Sequence, residues 1–509
     1  MEALDTWMLT LVVGLPALGA IVISLMPKER VQEIKGLSLI FSGAAMIFSF
    51  VALMRFDFDN AKAFQFYVSK TWIKTINSNY TMGVDGIALP MIVLTTVLTF
   101  LCVIYSLKSI PKPGRPKAFF ALILLLETGM AGTFTSLDLV LFFVFWELVL
   151  VPMFFLIAVW GSERKEYSAV KFFLYTLFGS VFMLLAFLAM YFRSVGPDGG
   201  HTFDMLLLRG QNFGSDAFMN LIFLGLFLGF AIKVPMWPFH TWLPDAHGDA
   251  PTVGSVLLAG IMLKMGTYGF IRIALPILPD TAHTWAPWIG GLAVISILYG
   301  ALNCLAQRDI KRLIAFSSVG HMGFVMLGIA TLTPIGINAA IFGMVAHGVI
   351  TGMLFFLAGS VYERYHTRDI PTIGGGMMHK MPRMGSLLSY AAIASLGLPG
   401  LAGFWGEIMA LLAAFNPAPG LSNSLFRTYM VLGGVGTILA AGYLLWLVQR
   451  VNLGSVPEQW AKEPLDDVRP TEWAAWAPLL VAIVGLGVYP RAVFDMTDGA
   501  VNALARVFG

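Results

Sequence analysis

Apolar residues run through this chain in long blocks, each about as long as a membrane crossing. Some 20 consecutive, mostly apolar residues are needed for a helix to cross the hydrocarbon layer of a bilayer. Stretches of that kind recur at roughly 8–26, 37–54, 85–107, 117–135, 138–160, 168–192, 217–240, 251–276, 284–305, 311–331, 335–360, 384–414, 427–449 and 472–490. The pattern predicts an all-α polytopic membrane protein of about 14 transmembrane helices, forming a single transmembrane domain over residues 1–509. The longest polar stretches, about 55–84, 193–216, 361–383 and 450–471, read as loops.

Composition narrows the class further. Of the 509 residues, 58% are hydrophobic and only 12% charged, against about 25% charged in a soluble domain. So few charges could not cover a water-facing surface. A net charge of +3 without long basic runs sets nucleic-acid binding aside. Cys102 and Cys304 sit alone in apolar sequence and offer no framework for a metal or a disulfide. The first apolar block, Leu9 to Met26, is followed by charged residues and another block, so it reads as a retained helix rather than a signal peptide.

Lys and Arg are unevenly divided between alternate loops. The loops on the side of Lys28 carry 20, the opposite side 9. Positive residues stay on the cytoplasmic side, which puts both termini outside and agrees with an even number of crossings.

Two blocks are interrupted, one at Lys233-Val234-Pro235-Met236-Trp237-Pro238, the other at Gly397-Leu398-Pro399-Gly400. Proline removes a helix donor and clashes with the preceding turn. Such a break survives in lipid only when buried in protein or lining a wet cavity. By count these are the seventh and twelfth spans, five helices apart. That spacing suggests two inverted five-helix repeats, about 117–276 and 284–449. Two unrelated proline kinks are the plainer alternative.

Ionisable residues inside spans are costly and mark candidate function. They form a series here: Glu127, Glu147, Lys233, Lys264, His321, His347 and Glu407. A lysine desolvated in a span releases its proton more readily, and a neighbouring carboxylate opposes that release. Moving Glu147 relative to Lys233 would then switch a proton on or off, and histidines could pass it onward. Carrying one charge across 100 mV costs about 2.3 kcal/mol, and one pKa unit is worth about 1.4 kcal/mol, so shifts of a few units suffice. Structural roles compete with this reading. Glu147 and Lys233 could be a static pair, His321 and His347 packing residues, and Glu127 a helix–helix contact. Asp138 reads as a helix cap, His240 and His247 as loop packing or solvent contacts, and Lys311 and Arg312 as anchors at a helix start.

Two of these segments carry a resemblance. Lys233-Val-Pro-Met-Trp-Pro-Phe-His-Thr-Trp-Leu-Pro-Asp-Ala-His247, followed by Ala250-Pro-Thr-Val-Gly-Ser255, resembles a signature of the antiporter-like subunits of respiratory complex I and of Mrp-type cation/proton antiporters. Asp309-Ile-Lys-Arg-Leu-Ile-Ala-Phe-Ser-Ser-Val-Gly-His-Met-Gly323 resembles a second. Within the family, Tyr362-Glu-Arg-Tyr-His-Thr-Arg-Asp369 and Phe145-Trp-Glu-Leu-Val-Leu-Val-Pro-Met153 look like the chain M type, called chain 4 in mitochondria. The lack of a long extension past the last block sets the chain L type aside.

The resemblance implies 14 helices in two inverted five-helix units and a central polar axis built from Glu147, Lys233, Lys264, His321, His347 and Glu407. It implies a proton-translocating subunit of NADH:quinone oxidoreductase in a bacterial inner membrane, beside chain L and chain N type neighbours. NADH, FMN, iron–sulfur clusters and quinone would then belong to partner subunits, with no cofactor in this chain. The alternative is a subunit of a multi-subunit sodium/proton antiporter, which uses similar residues without redox coupling. An inert structural subunit is a third reading, and the ionisable residues at depth argue against it.

Overall fold

The computed structural model describes residues 2–196 and 199–508. Two long helices open the chain, α1 (Glu2–Leu25) and α2 (Val31–Arg55). A hairpin of β1 (Gln65–Ile73) and β2 (Ser78–Val84) follows. Next come α3 (Leu89–Ser106), α4 (Pro116–Thr135), α5 (Leu139–Trp160), α6 (Lys165–Arg193) and α7 (Asp216–Lys233). A short helix, α8 (Trp242–Asp249), leads into α9 (Thr252–Ile277), α10 (Pro279–Ala306), α11 (Ile310–Ala330) and α12 (Pro334–Tyr365). Then follow α13 (Pro382–Ser395), α14 (Gly403–Phe415), α15 (Asn423–Asn452), α16 (Pro470–Val488) and α17 (Arg491–Ala505).

Among the described residues, 13 helices are long and apolar enough to cross a membrane. The remaining expected crossing, 384–414, is divided into α13 and α14, each too short to cross alone. The expected block 217–240 is shortened as well, because α7 ends at Lys233 and the following prolines start a separate helix.

The chain's interior is α9, α11 and α12, buried over 100%, 89% and 94% of their most apolar stretches, while only 28% of α2 and 33% of α15 are buried in theirs. The exposed faces carry Leu25, Leu174, Ile438 and Val481, side chains that suit lipid. The buried core therefore lies under an outer ring of helices, and the ionisable residues have been placed where lipid does not reach.

Each interruption is closed by hydrogen bonds from elsewhere in the protein. After α7, the Trp237 amide donates to Ser296 Oγ on α10 at 2.9 Å, and Trp242 Nε1 donates to the Ile232 carbonyl at 2.9 Å. Between α13 and α14, the Ala402 amide donates to the Ile483 carbonyl of α16 at 3.0 Å, and Trp405 Nε1 donates to the Gly487 carbonyl at 2.8 Å. The backbone turns there at Gly397 and Gly400, with φ of +81° and +92°, a region that favours glycine.

Two elements depart from the sequence expectation. The segment expected as a loop at 55–84 contains the antiparallel hairpin, with Val68 opposite Met82, Ser69 opposite Thr81 and Lys70 opposite Tyr80. Its Phe66, Tyr67, Val68, Thr71, Trp72 and Ile73 favour strands, and scattered polar residues between them hid the pattern. Beyond the last span, α17 is amphipathic rather than spanning. It buries Val493, Ala500 and Val501 and is pinned to α12, where Asn338 Nδ2 donates to Asp498 Oδ1 and Thr497 Oγ1 donates to Asn338 Oδ1, both at 2.6 Å.

Buried ion pairs fasten the two ends of the interior. Arg364 on α12 donates twice to Glu472 on α16, at 2.8 Å each, with side chains 2% and 4% exposed. Arg272 on α9 grips Asp85 at 2.8 and 2.5 Å. Removing one partner of such a pair leaves a buried charge and costs about 3–5 kcal/mol. Glu472→Ala is therefore expected to lower the thermal transition of the detergent-solubilised protein sharply, whereas the exposed pair Arg30–Glu33 is expected to be nearly silent on Glu33→Ala. Thermal scanning by intrinsic fluorescence distinguishes the two.

Candidate functional site

The site begins with an irregularity of α9. Residues Leu258–Met262 and Phe270–Ala274 are wound as wide, π-type turns, and Lys264 lies just beyond the first. A π-type turn releases a carbonyl from the regular ladder, and such turns recur at functional sites. The Ala259 carbonyl is taken by Lys264 Nζ at 2.5 Å. The lysine is thereby curled back along its own helix, fully buried, and held at one position.

Lys264 Nζ also lies 2.7 Å from His347 Nδ1 on α12. His347 faces His321 on α11, ring centroids 5.8 Å apart at 60°. His321 Nδ1 lies 2.8 Å from Glu407 Oε1 on α14, and Ser395 Oγ at the end of α13 lies 3.1 Å from His321 Nε2. Two atoms of the row have no protein hydrogen-bond partner, His347 Nε2 and Glu407 Oε2. The histidines and Glu407 line one cavity of about 30 Å³ together with Thr351 and Ser395, enough for a water or two. Four of the six expected residues thus form one row: Lys264, His347, His321, Glu407.

Small residues make the close approach possible. A side chain at Gly406 would put its Cβ 2.7 Å from the Cα of Gly343, so α14 rests directly on α12. That contact brings the neighbouring Glu407 within reach of His321.

The other two expected residues form a second group. Lys233 at the end of α7 is 3% exposed, with Nζ 4.9 Å from the centre of the Trp146 ring. Glu147 follows Trp146 on α5, is only half-buried, and interacts electrostatically with Lys233. Among the described residues no ion pair within 4.0 Å joins Glu147 to Lys233, so the cation rests on an aromatic face instead. Glu127 on α4 is fully buried, and neither of its oxygens meets a protein hydrogen-bond partner.

Asp138 caps α5 as expected, accepting from the amides of Val140 and Leu141 and from Ser78 Oγ. Arg312 anchors on Asp245 at 2.9 Å, where Arg164 and Lys171 also converge. His247, expected as a loop-packing or solvent contact, does pack but is neither in a loop nor at solvent: it is 0% exposed on α8, stacked on Phe355 at 4.4 Å, with both ring nitrogens unpartnered. Lys311, expected as an anchor at a helix start, is 4% exposed and donates to the Ala250 carbonyl at 2.8 Å. Both interact electrostatically in the interior, His247 with Lys311 and with Lys264. Their segments look like polar loops in the sequence, and only the packing of α8 against α6 and α11 shows them to be buried. Among the described residues no group of His, Cys, Asp or Glu is arranged to hold a metal ion.

Comparison with known proteins matches this architecture. Residues 136–433 match the family described as NADH:quinone oxidoreductase/Mrp antiporter, TM, and residues 8–133 match NADH-ubiquinone oxidoreductase chain 4, amino terminus. The NADH-quinone oxidoreductase subunit M of Rickettsia prowazekii is 38% identical over 510 residues, covering 99% of this chain and 100% of that protein. The chain belongs to the NADH-quinone oxidoreductase subunit M family. Chain 4 of Marchantia polymorpha is 39% identical over 97% of this chain and 96% of its own length. A chain of respiratory complex I from Thermus thermophilus superposes with a TM-score of 0.86 at 28% identity, over 98% of this chain and 100% of that one. A chain of the Mrp complex from Dietzia superposes at 0.82 with 21% identity, over 99% of this chain and 52% of that one, a likeness of fold alone.

For this subunit M relative the row makes a directional prediction. Glu407→Gln keeps size and removes the charge that faces His321. It is expected to lower proton pumping by at least tenfold while an exposed Arg30→Gln leaves pumping unchanged. Pumping in proteoliposomes, read with a pH-sensitive dye, checks this.

Proposed function

We propose that this chain is the proton-translocating membrane subunit of an NADH:quinone oxidoreductase, and that protons pass along its buried Glu/Lys/His row. The observation that carries the reading is the row from Lys264 through His347 and His321 to Glu407 in the interior of the protein, hydrogen-bonded at both ends and spanned in the middle by a small cavity between the two rings.

Each link suits a proton. Lys264 Nζ can hand a proton to His347 Nδ1 along the 2.7 Å contact. Protonation at one ring nitrogen and release at the other carries it across the ring. The cavity between His347 and His321 has room for a water that would bridge the rings. His321 Nδ1 then meets Glu407 Oε1. Glu147 and Lys233 form the controlling end: displacing the half-buried Glu147 changes how firmly Lys233 keeps its proton. His247, which interacts electrostatically with Lys311 and Lys264, joins the row from the side of the Lys-rich loops.

In this reading residues 117–276 and 284–449 are two inverted five-helix repeats, the breaks after Lys233 and Ser395 occupying corresponding places. Both termini face outward from a bacterial inner membrane. Chain L and chain N type subunits flank the chain in the membrane, and NADH, FMN, iron–sulfur clusters and quinone are held by partner subunits. Relatives named subunit M match over 92–99% of this chain at 38–39% identity, which favours this reading over a sodium/proton antiporter subunit.

The test is Lys233→Ala in membranes, with assembly of the complex checked on a native gel. NADH-driven quinone reduction and proton pumping are expected to fall together, by about tenfold or more, in the assembled complex. Wild-type values of both in an assembled complex would make Lys233 structural and the row idle.

A further inference from the structure

At the end of α9 away from the Lys-rich loops, a cavity of about 320 Å³ opens between the hairpin, α9, α10 and α17. Its charged wall is made by Lys62, Arg209, Asp85 and Arg272, its apolar wall by Pro276, Leu504 and Val507 among others. Asp85 is already consumed: its two oxygens take Arg272 Nη1 and Nη2 at 2.8 and 2.5 Å, and one of them also accepts the amides of Ile87 and Ala88. Lys62 and Arg209 are left over. Both are exposed, and among the described residues neither joins an ion pair within 4.0 Å; Arg209 rests over the Phe64 ring at 5.8 Å, repelled by Arg272 and attracted by Asp85 and Asp204. Three cations and one carboxylate therefore line this concavity and give its wall a net positive charge, an arrangement that suits an anion.

The position says what kind of anion. The cavity sits where α9 ends at Ile277 and α10 begins at Pro279, the level at which a spanning helix meets the lipid headgroups. The amphipathic α17 lies along it, turning Leu504 toward the cavity and leaving Val507 exposed at its rim. A ligand that fits both walls carries a phosphate for Lys62 and Arg209 and an apolar tail for α17.

We propose that this cavity is a binding site for the phosphate headgroup of an anionic phospholipid, with Lys62 and Arg209 as its phosphate ligands. The inference stands apart from the proton row and uses none of its residues.

The purified complex containing this subunit, stripped of lipid in detergent, is titrated with phosphatidylglycerol, phosphatidylcholine or inorganic phosphate. Lipid retained on the subunit is read by native mass spectrometry. Phosphatidylglycerol is expected to be retained in preference to phosphatidylcholine, with retention falling about fivefold for Lys62→Gln and again for Arg209→Gln. Lys70→Gln, an exposed lysine on β1, is expected to change nothing. Equal retention of the two lipids by the wild-type complex would overturn the site without any variant having to fold. Displacement of phosphatidylglycerol by inorganic phosphate at equal concentration would overturn the lipid assignment and leave a site for free phosphate. Unchanged retention in both variants would place the lipid elsewhere.

Discussion

Lipid cannot hydrogen-bond, and almost everything in this architecture follows from that constraint. Backbone that leaves the helix must find partners inside the protein, and so both interruptions lie behind other helices. The Ala402 amide needs the Ile483 carbonyl, and the Trp237 amide needs Ser296. The same rule explains why Lys264 curls onto the Ala259 carbonyl. The wide turn loosens the ladder around that carbonyl and leaves it open to the lysine. Irregular backbone and buried charge are therefore not separate features of α9: each makes the other tolerable.

The helical spans were legible in the sequence because lipid-exposed and core-facing helices alike must be apolar over about 20 residues. The ionisable residues at depth were legible for the complementary reason, since a charge among apolar neighbours stands out. Pairings were not. Asp85 lies just before α3 and Arg272 lies 187 residues later, and nothing local to either marks the other. His247 and Lys311 sit in polar segments, and polarity signals a surface loop unless the fold is known to close over it. The hairpin was hidden because alternation over 65–84 is broken by a bulge and a left-handed turn at Asn77.

The two groups of ionisable residues differ in how they are held. Lys264 and His347, and His321 and Glu407, are joined by short contacts, and the two histidine rings face each other with centroids 5.8 Å apart across α12 and α11. Lys233 instead leans on the Trp146 ring, with a half-buried Glu147 as its electrostatic neighbour. A cation on an aromatic face has no fixed partner to lose, so its surroundings can change at small cost. Rigid linkage in one group and loose contact in the other suit a conductor and its control.

Gly86 has no room for a side chain, because a Cβ there would run into the backbone carbonyl of Met496 on α17. The seat for α17 is thus prepared by the first part of the chain, yet its occupant is synthesised about 410 residues later. At ~5–20 residues per second, translation leaves that seat open for roughly 20–80 s. The hairpin and the end of α9 must spend that interval uncovered at the membrane edge, until α17 arrives to close the molecule.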